Sequence, residues 1–113
     1  MQSIKVQQPF FDFIKNGKKI IEGRLNKGKF EYINTGDVIK ICCNDDEHIF
    51  ITAYIKDVRK YISFYQYLFY EGLEKTLPNI SNINDACNVY HKFYTHDQEK
   101  KYGVIAIELQ VIV

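Results

Sequence analysis

The chain lacks most of the features that would place it at once. It has no tryptophan, one methionine and two prolines among 113 residues. No stretch approaches the roughly eighteen apolar residues that a spanning helix needs, so no membrane segment is expected. No secretory leader is evident. Cysteine is sparse: Cys42 and Cys43 are adjacent and Cys87 stands alone. An odd count with no C-x-x-C spacing is neither a disulfide framework nor a zinc ribbon. A site built from Cys42, Cys43, Cys87 and His48 has no supporting spacing, and buried thiols are the expected reading. His48, His91 and His96 show no H-x-x-x-H pattern. Asp45, Asp46 and Glu47 form an acidic turn without the spacing of a calcium loop. No Walker loop, nucleophile elbow or dinucleotide fingerprint occurs. Neither a metal nor a cofactor is therefore expected, and a reducing, intracellular setting, cytoplasmic or nuclear, is.

Charge of one sign is also missing overall, because the formal net charge is +1. That excludes a bulk polyelectrolyte binder. The distribution says more. Residues 15–29 hold Lys15, Lys18, Lys19, Arg24, Lys27 and Lys29 against one acid, Glu22. A local positive patch on a mildly acidic body suits a phosphate or another small anionic group better than a long duplex. The alternative is a solvated lysine-rich loop. Aromatic residues are abundant, nine Tyr and eight Phe. They can fill a core, or stack on bases. Heavy use of Ile, Lys, Asn and Tyr suggests an AT-rich coding genome, such as a virus's.

One domain is expected at this length. "SIKVQ" alternates as a first strand, and "PFFDFIKNG" reads as a helix with Phe10, Phe13 and Ile14 inward and Gly17 closing it. "KKIIEGRL" reads as a strand and "NKGKF" as a turn. "TGDVIKICC" is a strand after a Gly-Asp turn. "HIFITAYIKDVRKY" is the longest strand, with Ile49, Ile51, Ala53 and Ile55 on one face. "SFYQYLFYEGLEKTLP" reads as a helix capped by Ser63, with Phe64, Tyr67 and Leu68 inward and Pro78 ending it. "SNINDACNVYHKFY" is a second helical stretch facing inward through Ile83, Ala86, Val89 and Tyr90. "HDQEKKYG" is a short helix or turn, and "YGVIAIELQVIV" a buried final strand. Strands that flank a helical insertion predict an α+β, mainly β fold: a small β-barrel with peripheral helices.

The blocks "FFDFIKNGKKIIEGRL", "TGDVIKI", "YISFYQYLFYEGLEKTLP" and "EKKYGVIAIEL", in that order, resemble an ASCH domain of the PUA-like superfamily. The most specific element is G-x-K-x-x-E-x-R, here Gly17, Lys19, Glu22 and Arg24, followed by Gly36-Asp37. The resemblance implies a PUA-like barrel with a cleft at this motif, which Lys19, Glu22 and Arg24 would line, and functions tied to RNA or nucleotides. One branch of the family removes acetyl from acetylated cytidine. That branch has a threonine nucleophile where this chain has Glu22, and the motif usually has threonine where this chain has Ile20. Glu71 falls near the branch's acidic residue. Neither hydroxyl is present, and an aliphatic side chain attacks no carbonyl. The amidohydrolase chemistry is not carried over.

On a strand, Glu22 and Arg24 share a face about 7 Å apart. Glu22 can accept from a base N–H, while Arg24 holds a phosphate or stacks. Alternatively the two pair with each other and fix the barrel. Lys18 and Lys27 extend the positive patch. Tyr61 and Tyr94 either complete a pocket or pack in the core, and Tyr102 likewise. Lys56, Arg59 and Lys60 either lengthen a basic track or form a solvated edge. The leading expectation is a module that binds single-stranded RNA or a modified nucleotide. A ribonuclease or nucleoside amidohydrolase using Lys19, Glu22 and Glu71 is the alternative. A protein-interaction adaptor is the third, and exposed aromatics away from the cleft would favour it.

Overall fold

The computed structural model describes residues 1–112. Five strands, β1 (Ser3–Val6), β2 (Ile21–Leu25), β3 (Val38–Cys43), β4 (Phe50–Tyr61) and β5 (Val104–Ile112), make one sheet in the order β1-β3-β4-β5-β2. β1 and β3 run parallel, and the other three pairings are antiparallel. Val113, which the sequence reading placed in the last strand, lies outside the described residues. The sheet curls into a half-barrel, the PUA-like α+β fold, with β1 and β2 as its unpaired edges.

Side chains bridge that open edge. The carbonyls of Gln2, just before β1, and of Val6, its last residue, accept from the N–H groups of Lys40 and Asn44 on the β3 side. Of the carbonyls between them, those of Ser3 and Lys5 turn the other way, by the pleat of the strand. Lys5 O accepts from Arg24 Nη2, and Ser3 O accepts from Lys29 Nζ at 2.5 Å. Two cations of the positive stretch thus satisfy acceptors that a sixth strand would otherwise have taken.

The core follows the alternation of the strands. Ile39, Ile41, Ala53, Ile55, Ile105 and Ile107 are buried among Phe11, Ile14, Phe64 and Leu68 of the helices. Helix α1 (Phe10–Lys15) follows β1 directly. It buries Phe10, Phe11 and Ile14, whereas Phe13, expected inward, is only partly covered. Gly17, at φ +83°, makes the left-handed turn that ends it. β2 then starts at Ile21, later than expected, because Lys19 N–H still donates back to Phe13 O. The "NKGKF" turn is a 3₁₀ segment at Gly28–Tyr32. β4 carries an extra residue between Ile55 and Asp57, a bulge that shifts its inward phase. Ile49 precedes the strand and is exposed.

The insertion between β4 and β5 comprises four helices. The single helix expected over 63–78 is two: α2 (Phe64–Glu71) and α3 (Leu73–Thr76) break at Gly72, φ +92°. Ser63 Oγ accepts from Gln66 N–H, as its capping role requires. α4 (Ile83–His91) is capped by Asn82 and α5 (His96–Tyr102) by Thr95. Among the described residues no helix is long and apolar enough to cross a membrane.

Candidate functional site

A cleft of about 200 Å³ opens between the end of β1, strand β2 and helix α4. Its polar wall is Lys19, Glu22 and Arg24, with Lys5 and Asn44 beside them. Its apolar wall includes Phe10, Leu77, Tyr90, Phe93 and Tyr94. The space equals roughly six or seven water volumes.

Lys19 is the surprise of this wall. It is fully buried, and its ammonium spends all three protons. Nζ donates to Ile21 O at 2.6 Å and to Thr76 O at 2.5 Å, and lies 3.2 Å from Glu22 Oε1. Thr76 ends α3, so this side chain ties the helical insertion to β2 across 57 residues of sequence. Burial pulls the Lys19 pKa below the ordinary lysine value, and Glu22 offsets part of that. Three matched acceptors require the ammonium form. Glu22 is held from both sides. Its Oε2 accepts from Arg24 Nε at 3.0 Å and Nη2 at 2.9 Å. Burial works against its carboxylate, but the charges of Lys19 and Arg24 outweigh it and hold the pKa below the usual range. Arg24 lies over the Phe30 ring at 5.2 Å. Its Nη1 has no hydrogen-bond partner among the described residues. Two cations and one anion leave the wall with a net positive charge.

Gly23 lies between the two charged residues for a steric reason. A Cβ there would meet the Tyr67 ring at 2.5 Å. Tyr67 is fully buried, with its hydroxyl 3.2 Å from that of Tyr90. The Phe64 ring stacks between Tyr90, at 4.4 Å, and Tyr94, at 5.5 Å. Both readings of Tyr94 therefore hold together: it packs on the core and lines the cleft. Phe93, next to it, is 58% exposed. Burial raises the pKa of Tyr90 and of Tyr94.

The other residues singled out from the sequence go elsewhere. Lys18 is exposed beyond α1, and Lys27 sits 5.1 Å over the Tyr102 ring; neither lines the cleft. Tyr61 and Glu71 meet on another surface. There Arg59 forks onto Glu71 at 2.7 and 2.8 Å and also donates to Asp57 and Glu108, while Tyr61 donates its hydroxyl proton to Glu71. Burial, helped by the Glu71 bond, pushes Tyr61 up to about 12. Lys56 lies 3.8 Å from Glu108. Of the two readings of this stretch, a basic track or a solvated edge, the second describes exposed Lys56 and Lys60, while three carboxylates answer Arg59. Sequence reasoning missed Phe10, Lys5, Asn44, Tyr90 and Phe93 as cleft residues. Tyr90 fits the inward face of α4, and the exposure of Phe93 is set by the tertiary structure, so the sequence carries no signal for either.

A curled half-barrel sheet with a helical insertion is the fold of a PUA-like domain. The ASCH domain family matches residues 4–113, and the chain belongs to that family. Among solved structures it is similar to hypothetical protein PH0355, with 38% identity, 98% of each chain covered and a TM-score of 0.87. It is also similar to protein PF0455 from Pyrococcus furiosus, with 37% identity, 98% of this chain and 96% of that one covered, and a TM-score of 0.77. A ZmASCH mutant protein from Zymomonas mobilis shares the fold at 16% identity, a TM-score of 0.66 and coverage of 96% and 66%. No curated protein matches the sequence. None of these relatives supports the viral source suggested by composition.

Proposed function

We propose that the cleft receives one unstacked nucleotide of a single-stranded RNA, or a free modified nucleotide. The observation that carries this reading is the coincidence, in one opening, of a braced carboxylate, a guanidinium with an unused edge and an exposed aromatic ring. Glu22 accepts from a base N–H. Arg24 Nη1, with Lys5 nearby, meets the phosphate. Phe93 and Tyr94 supply the stacking surface. Lys19 serves by holding Glu22 rather than by gripping the guest, since its protons are spent. Lys18 and Lys27 contribute only long-range attraction.

Binding without hydrolysis fits the arrangement better than catalysis. The Thr76 hydroxyl donates to Gly72 O, and Glu71 is engaged with Arg59 and Tyr61 away from Lys19 and Glu22. The adaptor reading has its own observation. Ile62, Tyr65, Phe69 and Tyr70 project from α2 and its entry into solvent, Tyr65 stacked on Phe69. Titrations against four RNA homopolymers at two salt concentrations test the proposal. Phe93→Ala is expected to lose about 1–3 kcal/mol of binding with an unchanged melting temperature. Lys5→Ala should flatten the salt dependence by about one unit. No binding of the parent protein to any homopolymer or nucleotide would overturn it and leave the α2 face as the functional surface.

A further inference from the structure

We propose that His91, His96 and Glu99 form a binding site for a divalent transition-metal ion of the zinc class, independent of the cleft reading. The side chains come from two helix ends that meet. His91 is the last residue of α4, and His96 and Glu99 stand on the first turns of α5. Their ligand atoms all lie within 4.8 Å of one another. The i, i+3 spacing of His96 and Glu99 puts both on one side of α5. No periodicity links them to His91, so the sequence showed only histidines at unhelpful spacing.

The set is preorganised. Thr95 and Gln98 form a reciprocal capping box that sets the start of α5. The His91 ring meets the Phe64 ring edge-on at 6.3 Å, which fixes its plane. Its Nε2 lies 2.8 Å from Glu99 Oε2, and Glu99 is 9% exposed. The exposed His96 ring lies 4.1 Å from that of His91. A plain tie between α4 and α5 would need His91 and Glu99 and has no use for His96. Two imidazoles and a carboxylate are a donor set for zinc and its borderline neighbours, not for calcium or magnesium. Bonds of about 2.0–2.2 Å to a tetrahedral ion would set the ligand atoms roughly 3.3 Å apart. His91 and Glu99 need to part by only about half an ångström, and His91 would bind through Nε2 as the neutral tautomer with its proton on Nδ1. His96 swings in from the surface, and water completes the shell. The ion would pin the end of α4, next to Tyr90, Phe93 and Tyr94 of the cleft wall.

The test is calorimetric titration of the metal-stripped full chain, without a histidine tag, with Zn²⁺, and optical titration with Co²⁺. One ion per chain is expected, with the d–d absorption of a low-coordinate cobalt site. His96→Ala and Glu99→Gln should each weaken binding at least about tenfold, since losing a ligand costs no less than losing a supporting partner. His48→Ala and Cys87→Ser should leave it unchanged. His96 is exposed, so its variant stays folded, and a thermal melt in chelator confirms this for both variants. Parent binding no tighter than that of His96→Ala, or binding lost in Cys87→Ser instead, overturns the proposal.

Discussion

Two ion networks lie on different surfaces of this small domain and obey opposite rules. In the cleft one carboxylate, Glu22, answers two cations, Lys19 and Arg24, and all three are largely out of solvent. On the other surface one guanidinium, Arg59, answers three carboxylates, Asp57, Glu71 and Glu108, at 30% side-chain exposure. The first has no spare partner. Removing Glu22 leaves a buried ammonium and a guanidinium facing each other. The second is redundant and partly hydrated, so one lost carboxylate leaves Arg59 two others. An ion pair is therefore worth what its surroundings withhold if it breaks.

The largest effect that could break this comparison is Glu22→Gln. Uncompensated charge beside buried Lys19 is expected to cost about 3–5 kcal/mol in urea denaturation. The sign of its pH dependence follows from the depressed Glu22 pKa. As pH falls, the unfolded chain takes up the proton first, so the stabilisation is present above the ordinary value of 4.5 and is lost as pH falls through the lower folded value. The stability gap between parent and variant should therefore narrow in that acid window. A gap that stays constant there would mean that Glu22 does not titrate with folding.

A second variant separates the charges from the strand that carries them. Gly23→Ala adds a methyl group against the buried Tyr67 ring and should cost about 1–3 kcal/mol, leaving all three charges in place. Combining it with Tyr67→Leu should recover part of the loss. The smallest effect belongs to the outer network: Asp57→Asn should shift the melting temperature by no more than the scatter of repeat melts. A clear loss would show that the exposed network is as interdependent as the buried one.

Much of this architecture was legible because it is local. Ser63 and Gly17 mark helix ends by capping chemistry, and the alternation around Ile39, Ala53 and Ile107 marks strands. The small β-barrel with peripheral helices expected from those signals is an open, curled half-barrel with a helical insertion in the structure. The motif residues Glu22 and Arg24 do share a face and a cleft, as strand periodicity requires. The split at Gly72 was less legible, because apolar spacing runs on through a residue whose φ of +92° ends the helix. The six cations of residues 15–29 could not be sorted by spacing at all. Lys19 goes inside, Arg24 and Lys29 bridge to β1, Lys27 covers Tyr102, and Lys15 and Lys18 face water.

By itself the sequence determined which residues lie on one side of each strand and helix, where several helices begin and end, and that a lone acid stands among cations. Those are properties of neighbours along the chain, set by backbone geometry and capping. The tertiary structure alone decided what covers each face. It set Thr76 against Lys19, Tyr67 against Gly23, Glu71 against Arg59, and His91 beside His96 and Glu99. The physical reason is that burial and hydrogen-bond partnership depend on which distant element arrives opposite a residue. A lysine's identity says nothing of whether two carbonyls and a carboxylate will be waiting for its three protons.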